Sequence, residues 1–136
     1  MTSEKHIFLV DDDETFVFLT KEVISFANIK TKITEFSDGQ VAINYFKENC
    51  DKPDKLPDVI LLDLHMHIMD GWDFLQEYAT LEKAFAKKVK LYVVSSSISP
   101  HDIERSKNYK VIEDFIIKPL EQLKFEEIIE GLTQNA

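Results

Sequence analysis

The chain has 136 residues, 44% of them hydrophobic and 30% charged, enough for one compact domain with a buried core and far from disordered or fibrous compositions. Twenty-five acidic against sixteen basic residues give a formal net charge of -9, which opposes loose binding to nucleic acid or to a membrane of anionic lipid, since both are polyanions. Cys50 is the single cysteine, which excludes an intrachain disulfide, and no apolar run has the length of a signal-peptide core or a membrane span, so a cytoplasmic protein is expected.

Ile7 to Val10 is a short continuous apolar run that stops at Asp11, Asp12 and Asp13, the pattern of a strand buried on both faces of a parallel sheet. Phe16, Leu19, Val23 and Phe26 follow at helical spacing. A second strand is expected over Lys32 to Phe36, after which Ser37-Asp38-Gly39 supplies capping oxygens for a helix carrying Val41, Ala42, Tyr45 and Phe46. Asn49 to Pro57 reads as a polar loop into a third strand, Val59 to Leu62. Asp70-Gly71 opens a third helix with Phe74, Leu75, Tyr78 and Leu81 on one side. Leu91 to Val94 is the fourth strand, and Ser99-Pro100 pairs an N-cap with proline at the first helical position. The helix that follows has few apolar anchors, chiefly Ile103 and Tyr109, so it is expected to be the least firmly packed. Phe115 to Ile117 is the fifth strand, and Phe125, Ile128, Ile129 and Leu132 mark the last helix. Strict alternation of strand and helix, five times over, predicts a doubly wound α/β sandwich with right-handed crossovers. Without a linker, repeat or low-complexity tract, residues 1–136 are expected to form a single domain with no output domain.

Ligands of open parallel sheets bind at the carboxyl ends of the strands. Asp11 and Asp12 follow the first strand, Asp63 ends the third, Ser95 ends the fourth and Lys118 follows the fifth. Three carboxylates brought together repel unless a cation compensates, and a hard divalent ion such as Mg²⁺ is the natural one. Asp12 and Asp63 can offer direct oxygens, Asp11 can hold a metal-bound water, and the backbone carbonyl of His65 can complete the protein's share. Lys118 adds a mobile point charge for a phosphoryl oxygen and Ser95 a hydroxyl donor. A carboxylate nucleophile forming an aspartyl phosphate is established chemistry.

The motifs Phe8-Leu9-Val10-Asp11-Asp12-Asp13, Val59-Ile60-Leu61-Leu62-Asp63-Leu64-His65-Met66, Met69-Asp70-Gly71, Val93-Val94-Ser95-Ser96 and Ile117-Lys118-Pro119-Leu120 occur in this order. Together they resemble the response-regulator receiver domain of two-component systems, of the stand-alone type, over about residues 5 to 132. The resemblance implies a flavodoxin-like (βα)5 sheet of order 2-1-3-4-5, Asp63 as phosphoacceptor, Asp11 and Asp12 for Mg²⁺, and Lys118 as phosphoryl contact. It further implies Ser95 and Phe115 as switch residues, a cis Lys118-Pro119 bond, and a face of helix four, strand five and helix five that changes on phosphorylation. The donor would be a sensor histidine kinase or a histidine phosphotransfer protein, and the domain a monomer or weak dimer that assists its own phosphorylation and dephosphorylation without being an enzyme.

Some residues depart from the family pattern. His67 stands where proline is usual, Ser95 replaces the commoner threonine, Ser96 takes the place of a small apolar residue, and His65 lies two residues past the acceptor. Two other readings compete. One is a binding module of the same fold that works without phosphorylation. The other is a phosphatase with an aspartate nucleophile, which favours Asp-x-Asp where this chain has Asp63-Leu64-His65. A zinc site at His65 and His67 lacks the matched ligands such a site requires.

Overall fold

The computed structural model describes residues 4–66, 68–96 and 99–134. The departure noted at His67 lies outside the described residues. Strands β1 (Lys5–Val10), β2 (Thr31–Phe36), β3 (Val59–Asp63), β4 (Lys90–Ser95) and β5 (Ile112–Ile117) alternate with helices α1 (Glu14–Phe26), α2 (Gly39–Asn49), α3 (Gly71–Leu81), α4 (Pro100–Ser106) and α5 (Gln122–Gln134). The sheet is parallel throughout, with order β2-β1-β3-β4-β5. This is the flavodoxin-like doubly wound sandwich that the sequence predicts.

Period-two alternation within the strands sorts the core into two layers. Phe8, Val10, Ile60, Leu62, Leu91 and Val93 face α2 and α3, meeting Ile43, Phe46, Phe74, Leu75 and Tyr78. Ile7, Leu9, Val59, Leu61, Tyr92 and Val94 face α1 and α5, meeting Phe16, Val17, Ile24, Phe125, Ile128 and Ile129. Strands β1, β3 and β4 are covered on both sides, as their continuous apolar runs require. The edge strands are less covered than β1, β3 and β4: only Phe36 is buried in β2 and only Ile116 in β5. An edge strand lacks a neighbour on one side and its faces are less completely covered.

Helix α1 differs from the expected pattern. The predicted stripe of Phe16, Leu19, Val23 and Phe26 is rotated, since the buried side is Phe16, Val17, Thr20 and Ile24, while Leu19 is 46% and Phe26 68% exposed. This helix is apolar on two sides, and one helical period fits either. In α2 the buried set is Ala42, Ile43 and Phe46, with Val41 turned outward. The segment before β3 is more ordered than a polar loop, with a 3₁₀ turn at Pro53–Lys55, a fully buried Leu56, and the Tyr45 hydroxyl donating to the Lys55 carbonyl at 2.6 Å.

Helix starts follow the capping chemistry. Asp13, Asp38 and Asp70 each accept from a first-turn N–H, and Ser99 and Asp102 form a reciprocal capping box with Pro100 inside it. Helix α4 buries none of its residues. No helix among the described residues is long and apolar enough to cross a membrane. The Lys118-Pro119 peptide is cis.

Candidate functional site

Parallel pairing sets the heights of the strand ends. Val10 stands opposite Leu62, Asp63 opposite Val94, and Ser95 opposite Ile117. The residues that follow therefore emerge side by side, and the Lys118 N–H donates to the Ser95 carbonyl at 2.8 Å, tying the start of the last loop to the end of β4. Carboxylate oxygens of Asp11, Asp12 and Asp63 lie within 4.8 Å of one another. The Lys118 ammonium lies 3.2 Å from Asp11 Oδ2, 3.6 Å from Asp63 Oδ1 and 3.8 Å from Asp13 Oδ2. Sequence reasoning thus named Asp11, Asp12, Asp63 and Lys118, which the fold brings together. Ser95 closes β4 fully buried.

Each carboxylate has its own surroundings. Asp11 is buried, its N–H donates to the Phe36 carbonyl at 3.0 Å, and its Oδ1 accepts from the Asp13 N–H at 2.8 Å. Its Oδ2 is buried as well and faces the Lys118 ammonium as an ion pair. Burial pushes the Asp11 carboxyl up to about 6; the Asp63 charge pushes the same way, against the Asp13 N–H and Lys118. Asp63 is buried too and accepts from the His65 N–H at 3.3 Å. That bond fixes the loop after β3, and the His65 side chain is exposed beside it.

Asp13 has two contacts the sequence did not separate. It caps α1 through the Phe16 N–H, and its other oxygen faces Lys118. Phe16 was legible only as a core residue, yet the Lys118 Nζ lies 4.3 Å from its ring centroid. No spacing rule finds a pair so far apart in the chain. Phe115 stands apart from the charge cluster, opposite Val93, half-buried against the α2 and α3 side of the core.

The cluster fits a hard divalent cation. Asp11, Asp12 and Asp63 bring carboxylate oxygens within 4.8 Å of one another, the donors are all oxygen, and the buried Asp11 Oδ2 is balanced by the Lys118 ion pair. The structure also explains how closely the next helix approaches. A Cβ added to Gly71 would lie 2.6 Å from Leu64 Cα and 2.7 Å from the Asp63 carbonyl oxygen, so only glycine lets α3 start against the end of β3.

Comparisons with known proteins bear on the family and the fold. The chain is 30% identical over 114 residues to the probable methanogenesis regulatory protein FilR2 of Methanothrix harundinacea, covering 84% of this chain and 72% of that protein. It is 26% identical over 132 residues to the sensory transduction protein LytT of Enterococcus faecalis, covering 96% of this chain and 48% of LytT, so it spans about half the length of that relative. A two-component response regulator from Cytophaga hutchinsonii shares the fold with a TM-score of 0.85 at 21% identity, over 97% of this chain and 99% of that one. The model of the response regulator receiver domain matches residues 7–130, and the chain belongs to that family.

Proposed function

We propose that this receiver domain is a Mg²⁺-dependent phosphoacceptor in which Asp63 takes a phosphoryl group from a phosphohistidine. The observation that supports this most is the convergence of Asp11, Asp12, Asp63 and Lys118 from three strand ends within ion-pair reach. An Asp63 carboxylate oxygen attacks phosphorus, the P–N bond to the imidazole breaks, and its electron pair leaves with the nitrogen, which then takes up a proton. Lys118 neutralises charge on a phosphoryl oxygen without being consumed. Asp11, Asp12, Asp63 and the His65 carbonyl would hold the ion. Mg²⁺, when bound, supplies positive charge that offsets the carboxylates and the phosphoryl oxygens.

The donor in this reading is a sensor histidine kinase or a phosphotransfer protein, and the site is cytoplasmic, where such donors are made. The Ser95 hydroxyl then moves toward the phosphoryl group and Phe115 turns inward, altering the face formed by α4, β5 and α5. The absence of buried residues in α4 makes it the element easiest to shift. Wild-type protein and Asp63→Asn are incubated with a phosphoramidate and Mg²⁺ and weighed intact. Gain of one phosphoryl group by the wild type alone supports the reading. No gain by either protein favours a phosphorylation-independent binding module.

A further inference from the structure

We infer that Phe16 is a positioning residue, holding the Lys118 ammonium by a cation–π contact in the gap between Asp11 and Asp63; this rests on Lys118 being the phosphoryl contact.

Lysine carries its charge on a flexible four-carbon stem, so a fixed place for the ammonium needs a cause. Carboxylates alone do not give one. Asp11, Asp63 and Asp13 surround Lys118 at 3.2, 3.6 and 3.8 Å, and Asp13 is 48% exposed, so an ion pair there costs the least desolvation. Electrostatics with solvent would draw the ammonium outward to Asp13 and away from the acceptor.

The Phe16 ring opposes that drift. Its centroid is 4.3 Å from Lys118 Nζ, inside the range where the negative ring face attracts a cation, and the contact strengthens away from water. Phe16 is buried in the core shared by α1 and α5. Its backbone is fixed as well, because its N–H donates to Asp13 Oδ1 at 3.1 Å. The carboxylate that competes for Lys118 therefore also anchors the residue that holds Lys118 back. An aliphatic side chain of similar size would fill the core and supply none of this preference.

Five proteins separate positioning from packing: wild type, Phe16→Leu, a variant with ring-trifluorinated phenylalanine at position 16, Lys118→Met, and Lys118→Met combined with Phe16→Leu. The fluorinated ring keeps its shape and loses its negative face. Two readouts are taken: the rate of phosphoryl uptake from acetyl phosphate, and the proton chemical shifts of the Lys118 ε-methylene. The expected results are an upfield ring-current shift in the wild type, lost in Phe16→Leu, and uptake slowed roughly 3–10-fold by both Phe16 changes. In the Lys118→Met background, Phe16→Leu should have no further effect. Wild-type uptake by the fluorinated protein, an equal loss in the Lys118→Met background, or no ring-current shift overturns the inference. Should the wild type take up no phosphoryl group at all, the phosphoacceptor reading fails, and the Lys118 shifts alone still decide the contact.

Discussion

Asp11 makes the metal-free domain carry a measurable burden. Its carboxyl titrates at about 6 in the folded chain against 3.8 for an unperturbed aspartate, chiefly because it is buried, with Asp63 and Lys118 as its charged neighbours. The folded state therefore holds this proton more tightly than the unfolded state. Below pH 4 both states bind it and it contributes no pH dependence; as pH rises from about 4 to about 6, the folded state alone still binds it, and stability falls. At full strength two pKa units correspond to about 3 kcal/mol, and with water near the strand ends we expect on the order of 1–2 kcal/mol. Asp11→Asn removes the charge and keeps an oxygen for the Asp13 N–H. In chelator, by urea unfolding, the variant should match the wild type near pH 4 and exceed it by that amount at pH 7.5. Added Mg²⁺ should then close or reverse the gap, since a ligand of the folded state stabilises it. A variant less stable than the wild type at pH 7.5 without metal, or a difference that does not change with pH, would refute this reasoning.

Other outcomes follow from the same geometry. Asp12→Ala should weaken Mg²⁺ binding by calorimetry at least by the roughly 10–100-fold that loss of an outer-shell partner costs, and equal affinity would remove Asp12 from the site. Gly71→Ala places a methyl group against the backbone of Asp63 and Leu64; it should cost about 1–3 kcal/mol in urea unfolding, and a neutral result would show that α3 can back away. Ser99→Ala removes one half of the capping box and should raise amide exchange across α4 by the equivalent of about 1 kcal/mol, leaving α1 and α5 unchanged.

What the sequence made legible depended on how locally it was encoded. Apolar runs that end in a polar residue located β1, β3 and β4 and the residues above them, because in a parallel sheet the strand end is where the chain reaches the site. Asp13, Asp38, Asp70 and Ser99 gave helix starts through hydrogen bonds to N–H groups two or three residues on. The edge strands did not declare themselves, since neighbours in space decide whether Lys32 or Glu113 is exposed. Helix α1 carries Phe18, Leu19 and Phe26 outward beside its buried stripe, so periodicity alone had two solutions. The hold of Phe16 on Lys118 joins the start of α1 to the end of β5 and exists only in the folded chain.

Asp63, in this charge cluster, is the proposed point of phosphorus attachment. The most direct test treats the domain with acetyl phosphate, traps the acyl phosphate with borohydride and maps the reduced residue by tandem mass spectrometry. Modification is expected at Asp63 alone, dependent on Mg²⁺ and abolished by chelator; modification at another residue, or incorporation that chelator leaves untouched, would contradict the proposed role of Asp63.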